Sequence, residues 1–385
     1  MKKRLLALML SSLLAVGLVS GCSSDSSADE TEEAAETAEE ETDETQEDAS
    51  EEEEAAETAE ETVEADETEE AAEEADAELI ELNVAYMANY ASLWVFVTAD
   101  NLGYFAEEGL SITLYEFADG PTEIASMESG SIDIAYIGPG AHSLAIQGNV
   151  DVFCYSQIGN ADSVIGLASH GVETIEDLEG KTVGYASGTT SETILTRALN
   201  SVGLTLDDVE AYDMDITNMV SALVSGSLDA GALWSPSTGV VLEELGEDAI
   251  ELCNNETFAD EAADVASFIC TPSYAEENRD ILLAFTRAIY KAMDYASQEE
   301  NYEEVAGYVA AQCGTDLDTA LDQTGDGKWL DSATLKEYLE DGTIESYYEI
   351  QKANFVSSGK ITEEEGSVAV TDYVLIDLML EAFED

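Results

Sequence analysis

Residues 181–191, KTVGYASGTTS, have the pattern of a strand followed directly by a helix. The first half of this stretch is short and rich in β-formers. Its second half leads into a helix whose apolar residues recur at helical spacing from Ile194 to Val202. Extended to residues 180–234, the pattern predicts one complete βαβαβ unit. We expect this unit to form the second of two lobes.

The loop at Ser187, Gly188, Thr189 and Thr190 is the first candidate ligand site. Glycine lets the backbone approach a ligand closely, and the free N–H groups at a helix start lie beside the loop hydroxyls. Such a loop suits an oxyanion or another good acceptor. Thr189 and Glu192 also fit a capping box, which ends a helix without any ligand, and the two interpretations are compatible.

An internal repeat supports two lobes. The sequence SGSIDIA at residues 129–135 recurs as SGSLDAG at residues 225–231, each time closing a helical pattern and opening a β-like run. Two such units in one chain of 385 residues predict two lobes with a cleft between them. In open α/β sheets, ligands bind at the carboxyl ends of the strands.

The front of the chain has the pattern of an exported lipoprotein. Residues 1–21 combine Lys and Arg, an apolar run and small residues, which is typical of a signal peptide. The sequence VSGC at residues 19–22 resembles the bacterial lipobox. That resemblance implies cleavage before Cys22, a lipid attached to Cys22, and a protein anchored to the cell membrane on its extracytoplasmic face.

Residues 22–78 are predicted to be an acidic, disordered tether. About half of them are Asp or Glu, none is Lys or Arg, and such a composition cannot bury a core. An acidic cation-binding arm is the alternative. The whole chain has 86 acidic and 12 basic side chains, for a formal charge of −74. A surface this acidic excludes nucleic acid as a partner, because such binding needs clusters of Lys and Arg.

Four cysteines follow Cys22, at positions 154, 253, 270 and 313. Their wide spacing contains no CxxC, and with two histidines in the chain they form no plausible zinc set. Export permits a disulfide, and Cys253 with Cys270 is the pair favoured by proximity. Buried free thiols are the default expectation.

Several motifs together carry a family resemblance. They are GYFAEEGL at 103–110, the repeat at 129–133, LEGKTVG at 178–184, the loop at 187–190, and Asp229 with LWSP at 233–236. Their order resembles the periplasmic binding proteins for taurine, alkanesulfonates and nitrate, a family that also includes binding proteins for thiamine pyrimidine precursors. The likeness covers about residues 82 to 380.

The resemblance implies an α/β, two-lobe, type II periplasmic-binding-protein fold, with one βαβαβ sheet unit in each lobe and helices at the C-terminus. Lobe 1 is predicted at residues 79–168 plus 265–385, and lobe 2 at 169–264. Residues 163–169 and 266–271 are expected to be the crossing strands. It further implies a monomer that needs no cofactor and delivers a small molecule to an ABC transporter permease.

The predicted ligand contacts come from four segments that the fold would bring to the cleft. They are Asn89, Tyr90, Trp94, Gly138, Pro139, Gly140, Ser187, Gly188, Thr189, Thr190, Asp229 and Trp234. Alternatives stay open at several of them. Either tryptophan suits an aromatic core, Asp229 suits a helix-to-strand junction, and His142 suits a helix face better than a ligand contact.

The identity of the ligand stays open between two classes. The family favours a sulfonate, taurine or nitrate. The body contains few arginines, and Arg197 lies about two turns into its helix, past reach of the loop. A zwitterion or a neutral heteroaromatic stacked on Trp or Tyr is therefore a rival. No catalytic motif in the sequence supports an enzyme. A surface sensor or adhesin lipoprotein with the same fold is a further alternative.

Overall fold

The computed structural model describes residues 79–259 and 262–384. The signal peptide at 1–21, the lipidation at Cys22 and the tether at 22–78 lie outside the described residues and stay predictions. Within the described residues, no helix combines the length and apolar character needed to cross a membrane.

The described chain contains eleven strands. In order they are β1 (Ile80–Met87), β2 (Leu110–Phe117), β3 (Ile134–Ile137), β4 (Asp151–Gly159), β5 (Asp162–Leu167), β6 (Thr182–Tyr185), β7 (Glu210–Asp213), β8 (Ala230–Trp234), β9 (Ala249–Asn254), β10 (Val265–Cys270) and β11 (Gly327–Lys328).

The strands form two sheets, and each sheet is the core of one lobe. The first has the order β11-β4-β10-β3-β1-β2 and the second the order β7-β6-β8-β5-β9. In each sheet three strands of a βαβαβ unit are parallel, namely β2-β1-β3 and β7-β6-β8. The strands that link the lobes pair antiparallel to them. The predicted α/β fold with two sheet units is confirmed.

Fourteen helices flank these sheets in the described part of the chain. They are α1 (Tyr90–Asn101), α2 (Tyr104–Glu107), α3 (Gly120–Glu128), α4 (His142–Ile146), α5 (Thr190–Ser201), α6 (Ile216–Val224), α7 (Ser237–Leu245), α8 (Pro272–Glu277), α9 (Arg279–Ala296), α10 (Tyr302–Cys313), α11 (Leu317–Asp322), α12 (Ser332–Glu340), α13 (Thr343–Ser358) and α14 (Ile376–Glu381).

Helix α5 forms for the reason that its sequence indicates. Its buried side chains Ile194, Leu195, Ala198 and Leu199 make one stripe against the second sheet. Burying a large aliphatic side chain of this kind stabilises the fold by about 2 kcal/mol. The C-terminal helices α9–α14 bury their apolar faces in the core of the first lobe. The last of these helices, α14, is short and runs from Ile376 to Glu381.

The first predicted lobe boundary, at residue 168, is one strand too late. Strand β5 pairs with β8 and β9 in the second sheet, so the chain crosses between lobes at residues 160–161. Strand β5 is buried throughout and β4 is buried at six of its nine residues. Such runs do not show which sheet they join, because only the pairing decides it. Strand β10, on the return path, lies in the first sheet.

The repeated motif fastens each βαβαβ unit together. Asp133 Oδ2 accepts hydrogen bonds from the backbone N–H and the side-chain amide of Asn83, at 2.8 and 3.2 Å. In the same way, Asp229 Oδ2 accepts from the backbone N–H and hydroxyl of Thr182, at 2.8 and 2.9 Å. Each aspartate therefore joins the third strand of its unit to the first.

The four cysteines at positions 154, 253, 270 and 313 are free thiols. Cys253 ends up on β9 in the second sheet, whereas Cys270 ends β10 in the first. The pairing considered from proximity is therefore wrong, because the two residues belong to different sheets. Burial raises the pKa of Cys253 to about 11, so this thiol is un-ionised at neutral pH.

Replacing either repeat aspartate tests its structural role. Asp133→Ala and Asp229→Ala are each expected to lower the free energy of unfolding by about 1–3 kcal/mol, because two donors at the strand junction lose a charged acceptor. Urea unfolding of the purified full chain measures this. Asp207→Ala, which removes an exposed aspartate, is the control. Equal stability of all three variants would contradict the assignment.

Candidate functional site

A cavity of about 60 Å³ lies between the two sheets, where strands β1, β3 and β8 end and strand β5 begins. That volume is room for roughly five water molecules, so the cavity suits a small molecule. The polar and aromatic side chains around it come from both lobes. Lobe 1 contributes Asn89, Asp119, Tyr136, Gln157 and Asp326, and lobe 2 contributes Asp162, Thr189, Thr190, Trp234 and Ser235.

Among the helices that begin at the cavity, α1 and α5 are capped in matching ways. In lobe 1, Asn89 Oδ1 accepts from Ser92 N–H at 2.8 Å, and Ser92 Oγ accepts from the N–H of Met87 at 3.0 Å. In lobe 2, Thr189 Oγ1 accepts from Ser191 N–H at 3.2 Å, and Ser191 Oγ accepts from Ala186 N–H at 3.0 Å. The internal repeat thus extends to the walls of the cavity.

The donors of the 187–190 loop are largely used within the protein. Ser187 N–H donates to Asp213 at 3.0 Å, and Gly188 N–H donates to Glu192 at 3.0 Å. Thr189 Oγ1 donates to the Ala186 carbonyl at 2.7 Å. Thr189 caps the helix, as predicted. In a capping box Glu192 would accept from the N–H of Thr189, but here it accepts from the N–H of Gly188, one residue earlier. Few of these groups are left to hold an oxyanion.

Carboxylates dominate the charge of the cavity. Burial raises the pKa of Asp326 to about 7, a hydrogen bond from Ser235 opposes this, and the charge of Asp162 adds to it. Burial likewise raises the pKa of Asp162 to about 6, against a hydrogen bond from Thr190. Asp119 also lines the cavity. Among the described residues, no lysine, arginine or histidine lines it.

An aromatic and amide wall faces these carboxylates. Trp234 is the residue paired with Asp162 in the antiparallel contact of β8 and β5, so the two lie side by side. Across the cavity, the Gln157 amide donates to the Tyr136 hydroxyl at 2.8 Å and to the Ala91 carbonyl at 3.2 Å. A flat ring with N–H donors would match such walls, because the aromatic faces stack and the carboxylates accept.

The structure brings half of the twelve predicted ligand residues to the cavity. These six are Asn89, Gly138, Pro139, Thr189, Thr190 and Trp234. Ser187 is exposed and does not line the cavity, and neither does Gly188. Gly140 lies at the contact between lobes, where an added Cβ would stand 2.1 Å from the Thr189 carbonyl carbon. It serves close packing instead of ligand contact.

Tyr90 and Trp94, which were also predicted as ligand contacts, lie in the core and do not line the cavity. Both are fully buried, and both pack against the ring of Trp329, at centroid distances of 5.4 and 4.8 Å. The Trp94 indole N–H donates to Ser156 at 3.3 Å. Helix α1 is apolar all round, with nine of its twelve residues buried, and the sequence pattern does not show which of them face the cleft.

Asp229 is also not at the cavity, because it immediately precedes strand β8 and the other end of that strand meets the cavity. Its second oxygen, Oδ1, lies 2.8 Å from His170 Nδ1. Burial raises its pKa, but the bonds from Thr182 and His170 outweigh burial and hold the pKa below the usual value. Asp229 and Trp234 were both predicted as ligand contacts, but they lie at opposite ends of β8, and the cavity is at the Trp234 end.

His142 is buried beside the cavity wall and supports it. Its Nδ1 lies 3.2 Å from the Gly138 carbonyl, which only accepts, so Nδ1 carries the proton and Nε2 accepts from Ser267 at 2.9 Å. Burial lowers the pKa of His142 to about 4, against the backbone hydrogen bonds, so the ring is neutral. It holds the 138–141 turn in place.

The carboxyl and amide residues of the cavity were missed by sequence reasoning. Gln157 and Asp162 flank the first crossing, and the sequence placed that crossing later in the chain. Asp119 follows β2 directly, so the end of that strand was a usable signal. Asp326 lies in a Gly-rich turn distant in sequence from every other cavity residue, and no local pattern points to it.

These features define a protein with the periplasmic-binding-protein fold, in which two lobes line a small cavity. The chain belongs to the NMT1/THI5-like family, whose model matches residues 91–301. A putative binding protein of Brucella abortus is 29% identical over 303 residues, which cover 78% of this chain and 92% of that protein.

Two further relatives are named for different ligands. The formylaminopyrimidine-binding protein of Halalkalibacterium halodurans is 28% identical over 222 residues, 57% of this chain and 66% of that protein. The structure of the alkanesulfonate-binding protein SsuA from Xanthomonas axonopodis, bound to MOPS, has a TM-score of 0.62 at 18% identity, covering 78% of this chain and 99% of that one. At that identity the likeness shows the fold.

The raised pKa of Asp326 predicts a pH-dependent stability. A carboxyl group with a raised pKa in the folded state stabilises the fold at low pH, and that contribution is lost as the pH rises through the folded value of about 7. Asp326→Asn is therefore expected to flatten the decline between pH 5 and pH 8 and to be more stable at pH 8 by about 2 kcal/mol.

Urea unfolding of the full chain at both pH values measures this effect, with Asp207→Asn as the exposed control. If wild type and Asp326→Asn decline with the same slope, ionisation of the Asp326 carboxylate carries no cost in the fold.

Proposed function

We propose that this protein is an extracytoplasmic solute-binding protein of an ABC importer whose ligand is a small nitrogen heteroaromatic, such as a thiamine pyrimidine precursor. The observation that carries the ligand class is the wall of the cavity. Three carboxyl groups, two amides and the rings of Trp234 and Tyr136 surround it, and no basic side chain of the described residues lines it.

Nitrogen heteroaromatics offer what these walls accept. Ring amino groups donate to ionised Asp162 and Asp326, and any positive charge on the ring is balanced by them. Trp234 and Tyr136 supply aromatic faces, while Asn89 and Gln157 supply amides that both donate and accept. Membership of the NMT1/THI5-like family and the formylaminopyrimidine-binding relative support this choice.

A sulfonate is the second candidate, favoured by the relatives named for sulfonates and by the helices that begin at the cavity. The electrostatics of the cavity oppose it. An anion placed about 4 Å from one ionised carboxylate is repelled by about 4 kcal/mol at an effective dielectric of 20. A helix start contributes at most about 2 kcal/mol, and the loop donors are already bonded within the protein.

Import is preferred to the other roles that this fold serves. The binding-protein relatives support a receptor in preference to an enzyme. We include in the proposal the lipid anchor at Cys22, a monomeric state and a permease partner that accepts the ligand when the lobes open. A surface sensor or adhesin would keep the same cavity but act on a different partner.

Ligand-induced stabilisation tests the ligand class. The aminopyrimidine half of thiamine, in its free hydroxymethyl form, is expected to raise the unfolding midpoint of the full chain, whereas taurine, alkanesulfonates and nitrate leave it unchanged. Ligand at one hundred times its dissociation constant adds about 2.7 kcal/mol, a shift that differential scanning fluorimetry detects easily.

Asp162→Asn is expected to reduce the aminopyrimidine shift, since the amide has lost the charge that balances the ring. Asp207→Asn, a matched change on the exposed surface, is expected to keep it. Stabilisation by a sulfonate with no response to the aminopyrimidine would overturn the proposed ligand and leave the fold assignment intact.

The pH dependence of affinity separates the two ligand classes. Because the pKa values of Asp162 and Asp326 are raised to about 6 and 7, both groups gain charge between pH 5 and pH 8. Affinity for a hydrogen-bond-donating ring is expected to rise about tenfold over that range, after correction for the titration of the ring itself. Affinity for a sulfonate would fall instead. Isothermal titration calorimetry at both pH values gives the sign.

A further inference from the structure

A chain of hydrogen-bonded side chains runs from the cavity to Arg197 on helix α5. Asn255 lies behind Asp162, and its side chain bonds to two carboxylates at once. Its amide donates to Asp162 Oδ2 at 3.1 Å and to Asp264 Oδ2 at 2.8 Å. Arg197 completes the chain with a bidentate pair to Asp264, at 2.9 and 3.0 Å.

The chain is well shielded from water. Asp162, Asn255 and Asp264 are each 5 or 6% exposed, and the Arg197 side chain is 15% exposed. The Arg197 guanidinium also lies 5.7 Å from the centre of the Phe258 ring. In such a setting a bidentate arginine pair is a strong contact, because neither partner has water to replace it.

The same chain of contacts joins both connections between the lobes. Asp162 begins β5, just after the first crossing, and Asn255 Oδ1 accepts from its backbone N–H at 2.7 Å. Asp264 lies on the return crossing, and its carbonyl accepts from Gly159 N–H at 2.7 Å. Asn255 therefore ties both crossing strands to one point of lobe 2.

We propose that Asn255 is the positioning residue of the cavity: it fixes the Asp162 carboxylate in place and, with Arg197 acting through Asp264, keeps that carboxylate ionised for the ligand. This inference rests on the proposed function, since it gives Asp162 the role of ligand acceptor. Arg197 lies too far along α5 to touch the ligand loop, and here it serves the site from behind.

The groups around Asp162 act on its charge in opposite directions. Burial is the largest influence and raises its pKa, and the Asp264 carboxylate adds to this. Asp326, across the cavity, repels it as well, since each carboxylate raises the cost of charging the other. Hydrogen bonds from Thr190 and Asn255 and the charge of Arg197 lower the pKa. The Asp119 carboxyl lines the same cavity. Tyr136 is a further titratable neighbour, and burial raises its pKa above its ordinary value, so it stays neutral.

The test measures the ionisation of Asp162 with and without ligand. In the full chain labelled with ¹³C at the aspartate carboxyl, the Asp162 signal is assigned by its loss in Asp162→Asn. Asn255→Leu removes the side-chain amide at nearly constant volume. In this variant the titration midpoint of Asp162 is expected to rise by about one pH unit. Arg197→Gln is expected to shift it in the same direction, and Arg197→Lys, which keeps the charge, by less.

The affinity for the aminopyrimidine is expected to change with pH in parallel with the titration midpoint of Asp162. A rise of one unit from a midpoint of about 6 weakens binding about fivefold at pH 6 and leaves it nearly unchanged at pH 8, where Asp162 is ionised in both proteins. A purely structural residue would lower the unfolding midpoint without changing this pH profile.

Asn254→Leu is the matched control. Asn254 is the preceding residue, and its side chain bonds to Thr257 and Glu251 instead of Asp162. Unchanged Asp162 midpoints in both Asn255→Leu and Arg197→Gln would overturn the inference. If the aminopyrimidine fails to bind the wild type, the proposed function fails, while the carboxyl titration still decides whether Asn255 and Arg197 set the charge of Asp162.

Discussion

The backbone hydrogen bond from Gly159 to the carbonyl of Asp264 holds the two connections between the lobes side by side. Both connections must pass the same place, because β4 and β10 are neighbours in the first sheet while β5 and β9 are neighbours in the second. This pairing places the end of β4, in the first sheet, beside the start of β5, in the second sheet. The cavity exists at that point, and most of its charged groups lie on or beside the crossings.

The acidity of the cavity is costly to the free protein. Asp162 is buried and Asp326 is half-buried at the cavity, where no basic side chain of the described residues lies, so each carboxylate raises the cost of charging the other. Such an arrangement is stable only because hydrogen bonds from Thr190, Ser235 and Asn255 offset part of the burial. A ligand that donates hydrogen bonds or carries positive charge would offset more of it, which links affinity to a cost already present in the fold.

Some residues make the same hydrogen bonds in both lobes, whereas other residues at the cavity have no counterpart in the other lobe. The aspartates Asp133 and Asp229, and the cap serines Ser92 and Ser191, make the same bonds in each lobe and serve the fold. The cavity groups without a counterpart in the other lobe are the ones that the proposed function uses. Tyr136 and Gln157 come from one lobe, and Asp162 and Trp234 from the other.

The sequence alone determined the two βαβαβ units, their helices and the ends of their strands, because hydrophobic period and turn residues are local. Helix α5 and the caps at Asn89 and Thr189 follow from neighbouring residues, and so half of the predicted ligand residues reach the cavity. The resemblance to a known family supplied the two-lobe order. Tertiary structure decided which sheet β5 joins, which face of α1 is core, and which end of β8 meets the cavity. It also brought Asp326 to Asp162 from more than a hundred residues away. These features depend on pairing between strands that are distant in sequence and on burial of side chains against other elements. No local pattern in the chain encodes either of them.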